Sequence, residues 1–206
     1  MFNNIWIDLL FSLLFTIKIK SIFYLAMQRL KSFYIKHVIP SIKKNFSYKN
    51  VFEMPKIKKV VVSRSFDDSC QNTKTINNFL NEINTITCQY PKITRSKKSI
   101  ANFKLKQGTI VGMYVSLRGD KMYSFLDRLI NISLPRIRDF QGLSADSFDK
   151  FGNYSLGFKE QLLFPEIDFE KVSKVSGLNV NIVIASRSKQ ESYFLLKELG
   201  MPFKNN

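Results

Sequence analysis

The feature that most constrains this chain is where its charge lies. Of its 206 residues 32 are Lys or Arg and 16 are Asp or Glu, a formal charge of +16, and nearly all of that excess lies upstream of residue 122. Residues 1–65 carry a net +10, 66–91 a net −2, 92–121 a net +7 and 122–206 a net +1. A surface tuned only for solubility intersperses both signs, so two basic blocks split by a neutral one predict a side that faces a polyanion. The denser block is Lys92, Arg95, Lys97, Lys98, Lys104 and Lys106. A solvated loop with nothing to bind is the competing reading. With 45% hydrophobic and 14% aromatic residues the chain is too apolar for a disordered polycation, so it must fold around a core.

The run from Ile5 to Ile17 is apolar but fits neither a membrane span nor an export signal. As a helix it reaches about 20 Å, against roughly 30 Å of hydrocarbon. Asp8 interrupts it, Lys18 and Lys20 end it, and no basic residue precedes it as a secretory signal requires. Residues 1–26 are therefore read as an apolar extension that docks on a neighbour, with an interfacial membrane helix as the alternative.

From residue 27 onward the pattern is that of one mixed domain, 27–206. Leu30, Tyr34, Val38, Ile42 and Phe46 recur every four residues and predict a helix that Pro40 kinks or ends. Ile57–Val62 reads as a strand, and Asn72 as a cap before the helical stripe Ile76, Phe79, Leu80, Ile83 and Ile86. Ile110–Leu117 alternates as a strand, and Met122, Phe125, Leu126, Leu129 and Ile130 form a helix stopped by Pro135. Leu178, Val180, Ile182 and Ile184 share one strand face while Asn179 and Asn181 share the other. Phe194, Leu195, Leu196 and Leu199 give a last helix ended by Gly200 and Pro202. The expected fold is α+β: a mainly antiparallel sheet, helices on one face, the other face open for RNA.

Catalytic chemistry finds little to work with. The only histidine, His37, has no identifiable orienting partner and reads as a surface or core-edge residue. Cys70 and Cys88 lack the spacing of a zinc site and read as reduced and structural. The glycines form no dinucleotide fingerprint, P-loop or nucleophile elbow. Glu166, Asp168 and Glu170 are read as a solvated edge rather than a Mg²⁺ site, so no metal or cofactor is expected. Tyr90 and Phe103 flank the densest basic stretch and can stack bases, although Phe103 serves equally as an anchor to its own core.

Longer runs carry a specific resemblance. Leu117-Arg118-Gly119-Asp120-Lys121-Met122-Tyr123, Phe125-Leu126-Asp127-Arg128-Leu129 and Leu134-Pro135-Arg136-Ile137-Arg138-Asp139-Phe140-Gln141-Gly142 resemble the large-subunit ribosomal protein L five family, binders of 5S rRNA. So do Gly152-Asn153-Tyr154-Ser155-Leu156-Gly157, Glu160-Gln161-Leu162-Leu163-Phe164-Pro165-Glu166, Arg95-Ser96-Lys97-Lys98-Ser99-Ile100-Ala101-Asn102-Phe103-Lys104 and Gly200-Met201-Pro202-Phe203. The resemblance covers about residues 27–203, and the wording is that of the bacterial, cyanobacterial and plastid branch.

This resemblance implies a non-enzymatic constituent of the large ribosomal subunit, in its central protuberance, with no stable homo-oligomer. It implies 5S rRNA on the open sheet face, contact with the large-subunit rRNA, a basic loop at the peptidyl-site tRNA, and a bridge to a small-subunit head protein. Gln89 matches a family glutamine that contacts 5S rRNA. Ser63 stands where the family has asparagine and Ser116 where it has threonine; Arg118 completes that group. The basic-loop residues are Arg95, Lys97, Lys98, Ser99, Phe103 and Lys104. Asn102 replaces a family glycine and is expected to keep the left-handed turn. Arg64-Ser65-Phe66-Asp67-Asp68 replaces a glycine-rich turn, which puts the path of that loop in question. Arg136 and Arg138 are read either as a turn at the subunit bridge or as intraprotein ion pairs. Richness in Ile, Lys, Asn and Phe, with the plastid-like wording, points to the plastid stroma over a mitochondrion or an AT-rich bacterium. The contrasting function is a basic membrane-surface protein anchored by residues 1–26.

Overall fold

A computed structural model describes residues 28–66, 73–167, 169, 172 and 174–204. The extension 1–26, the cap Asn72, Cys70, Asp168 and Glu170 lie outside the described residues.

The chain opens with a continuous helical run, α1, made of Arg29–Phe33, a π-helical turn Tyr34–Val38 and Ile39–Asn45. Strand β1 (Lys56–Ser65), helix α2 (Thr73–Thr87), strand β2 (Lys92–Arg95) and strand β3 (Ile110–Leu117) follow. Helix α3 is Gly119–Arg128, prolonged by a π turn Leu129–Ser133 and a 3-10 turn Leu134–Arg136. Strands β4 (Tyr154–Phe158) and β5 (Leu178–Ala185) and helix α4 (Lys189–Glu198) complete it. The five strands form one sheet in the order β2-β3-β1-β5-β4, and every neighbouring pair is antiparallel. The expected α+β architecture is what the chain adopts.

Pro40 does not end its helix, and the run through Pro135 ends one residue past it, at Arg136. Pro40 and Pro135 lie inside helical runs, and each follows a π turn ending two residues before it. Proline lacks the N–H that the fourth carbonyl back would accept, and its ring crowds that carbonyl; widening the preceding turn accommodates both. The four-residue spacing of Leu30, Tyr34, Val38 and Ile42 fits this, because a 3.6-residue helix drifts off such a spacing and a wider turn restores it.

The helix-facing side of the sheet is apolar. Val60 and Val62 on β1 lie opposite Leu117 and Val115 on β3, and opposite Ile182 and Val180 on β5. All six are at most 2% exposed and belong to one hydrophobic cluster with Phe79, Ile83, Phe125, Leu129 and Leu195. One charge sits within this layer: Arg64 donates to Glu82 of α2 at 2.6 Å, and its guanidinium lies 3.7 Å from the centre of the Phe79 ring. Phe66 prolongs the β1–β3 pairing, donating its N–H to the Val111 carbonyl at 2.9 Å, and stacks on Phe79. This fixes the path of the loop as far as Phe66.

β2 and β4 are strands that the reading of the sequence does not assign. β4 is entered through a tight turn: one Asp149 carboxylate oxygen accepts the N–H groups of Phe151 and Asn153 at 2.9 and 2.7 Å, and the other accepts from the Asn153 amide at 2.7 Å. α4 begins at Ser188, whose hydroxyl accepts the Glu191 N–H, and ends where Gly200 takes a φ of +94°.

Two outcomes follow. Glu82→Ala leaves the Arg64 guanidinium buried beside apolar neighbours, and urea unfolding should show a loss of about 3–5 kcal/mol, most of it recovered by the double replacement Arg64→Met with Glu82→Leu. At Asp149, desolvation pushes the carboxyl up, but hydrogen bonds from Asn153, Phe151 and Gly152 prevail and hold it below its ordinary value. Its stabilisation is therefore complete above the ordinary carboxylate range and lost as pH falls through the depressed native value. Exchange of the Phe151 and Asn153 amides, corrected for intrinsic rates, should accelerate in that acid window, and Asp149→Ala should exchange fast at every pH.

Candidate nucleic-acid interface

None of the five strands contains an Asp or Glu, whereas they carry Lys56, Lys58, Lys59, Arg64, Lys92 and Arg95. Register sorts these residues between the two faces. On the side away from the core, one row across the sheet runs Lys92, Tyr114, Ser63, Asn179 and Gly157. The next row runs Ser116, Val61, Asn181 and Ser155, and beyond it Lys59 lies opposite Val183. These residues are half-buried or exposed, in contrast to the buried alternate positions. Among the described residues no side-chain hydrogen bond engages Ser63, Tyr114, Ser116 or Lys92. The face is thus uncharged and polar in the middle, cationic at its margins and free of carboxylates, as a surface must be if phosphates are to lie over it while polar groups reach base edges.

Ser63 and Ser116 sit in adjacent rows of this face, so the strand positions expected to contact RNA do come together. Gln89 lies in the connection from α2, three residues before Lys92, and its carbonyl accepts the Thr87 hydroxyl at 3.0 Å. Arg118 occupies the N-cap position of α3, with an exposed side chain that makes no capping bond.

The basic loop is an ordered hairpin arm that prolongs β2 and β3. Ser96 donates its N–H to Thr109 and accepts from Gly108, at 2.9 and 3.0 Å, and Ile100 and Leu105 exchange both backbone hydrogen bonds. Side chains reinforce it: Ser96 Oγ donates to the Lys106 carbonyl at 2.5 Å, Arg95 to the Gly108 carbonyl at 3.1 Å, and Ser99 Oγ accepts the Gln107 N–H at 3.0 Å. Ser99 and Arg95 therefore build the arm as well as lying on it. At the tip, Ala101–Phe103 form a 3-10 turn closed by Lys104 in the left-handed conformation, φ +51°. The left-handed residue is thus Lys104 and not Asn102. Lys97, Lys98 and Lys104 are exposed, and Phe103 is 63% exposed, which removes the reading of Phe103 as a core anchor.

Some cations outside the strands and arm are engaged, while Lys43, Lys44 and Lys49 are exposed without an ion pair among the described residues. Arg29 pairs with Asp127, Lys31 with Asp120 at 2.8 Å, Arg128 with Glu166, and Arg187 with Glu53 at 2.8 Å. Within the first basic block Arg29 and Lys31 tie α1 to α3, Lys43, Lys44 and Lys49 are exposed, and Lys59 reaches the open face. Arg136 and Arg138 are exposed and make no ion pair among the described residues, so of their two readings the intraprotein pair is not realised. Cys88 is a free, exposed thiol rather than a structural one. His37 stacks on Phe33, ring centres 5.1 Å apart. A cavity of about 500 Å³ beside α2 is lined by Asn78, Glu82 and Glu166, whose two carboxylates are the partners of Arg64 and Arg128. No helix among the described residues is long and apolar enough to cross a membrane.

Alternation alone locates two further face residues, Tyr114 and Lys59, that the motif-by-motif reading passes over.

Comparison with known proteins gives the family. Residues 50–106 match the family described as Ribosomal protein L5, and residues 110–203 match the C-terminus of that same ribosomal family. Large ribosomal subunit protein uL5c of Euglena gracilis is 56% identical over 179 residues, 87% of this chain and 100% of the relative. Large ribosomal subunit protein uL5 of Rippkaea orientalis is 52% identical over 86% of this chain and 98% of its own, and uL5c of Stigeoclonium helveticum 51% over 86% and 99%. The open polar face and the basic arm are therefore features of a chain that belongs to the uL5 family, of the bacterial and plastid type, a structural and non-enzymatic constituent of the large ribosomal subunit.

Proposed function

We propose that this chain holds 5S rRNA on its open sheet face within the central protuberance, and reaches the peptidyl-site tRNA with the hairpin arm. In the same reading the chain touches the large-subunit rRNA, and exposed Arg136 and Arg138 meet a small-subunit head protein. The ribosome is that of a plastid, a reading supported by relatives that carry the uL5c name. The observation that carries the proposal is the acid-free sheet continuing into an arm whose Lys97, Lys98 and Lys104 are exposed. Unpaired cations on a rigid hairpin track phosphates, Phe103 at the tip offers a ring to a splayed base, and the face between the cations supplies hydroxyls and amides.

The test is a salt titration of 5S rRNA binding, paired with tRNA crosslinking in reconstituted subunits. Lys97→Ala with Lys98→Ala should lower the slope of log K against log salt by about 0.7–0.9 for each phosphate no longer neutralised, or abolish the tRNA crosslink, with the fold intact. Phe103→Ala should weaken the arm's grip on RNA by about 1–3 kcal/mol and leave the slope unchanged, because stacking releases no counterions. An unchanged slope together with an unchanged crosslink in the double variant removes the arm from the interface.

A further inference from the structure

β5 carries a feature that folding does not use. Asparagine is depleted in strands, yet Asn179 and Asn181 lie two apart in a strand paired on both sides. They share the open face while Leu178, Val180, Ile182 and Ile184 are buried. Among the described residues neither amide side chain has a hydrogen-bond partner, and Asn179 is exposed.

Their neighbours leave room for a ligand. Asn179 lies opposite Ser63 on one side and Gly157 on the other, and Asn181 opposite Val61 and Ser155. Asn179 Oδ1 is 3.6 Å from where a side chain on Gly157 would begin, so the glycine keeps the edge beside the amide clear. In the row through Asn179 come Ser63, Tyr114 and then Lys92, three strand spacings or about 14 Å away. A cation at that distance reaches a backbone phosphate while the amide reaches a base.

We infer that Asn179 and Asn181 are base-reading residues, whose carboxamides contact the edge of unpaired bases in the RNA lying on the sheet. A carboxamide presents a donor and an acceptor side by side and matches an edge that does the same, as adenine does at N6 and N7. Serine hydroxyls in the adjoining positions make single bonds, so the two-point contact falls to β5. This inference rests on the open face being the RNA site and names the residues that give that site its selectivity.

The experiment measures binding of the full chain to 5S rRNA, and to an unrelated RNA of equal length, across a range of salt concentrations. Asn179→Ala and Asn181→Ala should each weaken 5S rRNA binding about 5- to 150-fold, with the salt slope and the binding of the unrelated RNA unchanged. Asn181→Thr, a better strand former, keeps the fold and should show the same selective loss. 5S rRNA made with 7-deaza-adenosine should bind the native chain more weakly and the asparagine variants no more weakly than ordinary 5S rRNA does. Equal losses on both RNAs, no loss at all, or no cost of the 7-deaza substitution overturns the inference. Lys92→Ala separates the two levels: a reduced slope with undiminished asparagine variants means that RNA lies on the face but is not read there. An unchanged slope as well removes the face itself.

Discussion

β1 is the constraint on which the rest of the molecule hangs. It pairs with β3 on one side and β5 on the other, so its alternation decides which residues of three strands face the helices and which face outward. Ile57 and Val60 are both buried although they are three residues apart, which strict alternation forbids. The register shift between Ile57 and Lys59 resolves this by giving Lys58 no partner on β5. Without the bulge either Ile57 would point outward, or Val60 and Val62 would, and Ser63 would turn into the core. One extra lysine thus keeps the apolar side continuous and the open side polar.

Charge follows the same partition. The carboxylates of α2 and α3 and of the segment around Glu166 neutralise Arg29, Lys31, Arg64 and Arg128, which lie among or beside helices. The strands contain no carboxylate and neither does the arm, and among the described residues their cations other than the inward-turned Arg64 pair with none. The sheet and arm therefore carry cations that no carboxylate on the same elements offsets, while α1 keeps exposed Lys43 and Lys44 beside its paired Arg29 and Lys31. Exposed pairs such as Arg29 with Asp127 add little stability, yet they remove positive potential from the side of α1 and sharpen the contrast between faces.

Sequence legibility follows the same physics. β3, α2 and α4 are readable because long apolar periods of two or of three and four leave little choice, and the stripes of α1 and α3 are readable for the same reason. Edge strands β2 and β4 are not: the four residues of β2 are bounded by Lys and Arg and show no alternation, and β4 alternates over only five residues, Tyr154, Leu156 and Phe158 inward, too short a run to stand out beside its glycines. The π turns ahead of Pro40 and Pro135 are not readable either, because each proline's missing donor is absorbed one turn earlier. At the site, Ser63, Ser116, Asn179 and Asn181 follow from alternation once the strands are known. Arg64 and Glu82 do not, because 18 residues separate a strand position from a helix position that only the packed sheet brings to 2.6 Å.

The arm shows why departures from a family's wording need not undo its geometry. Asn102 loses the glycine that the resemblance expects, yet the turn closes because Lys104 takes the left-handed position and Ile100 and Leu105 lock the hairpin behind it. A lysine at φ +51° is less at ease than a glycine. The left-handed residue is itself an exposed cation at the apex beside Phe103. An arm fixed by its own hydrogen bonds has little conformational entropy left to lose on binding a partner. A left-handed lysine that closes the turn thus holds the tip in shape and keeps an exposed cation at it.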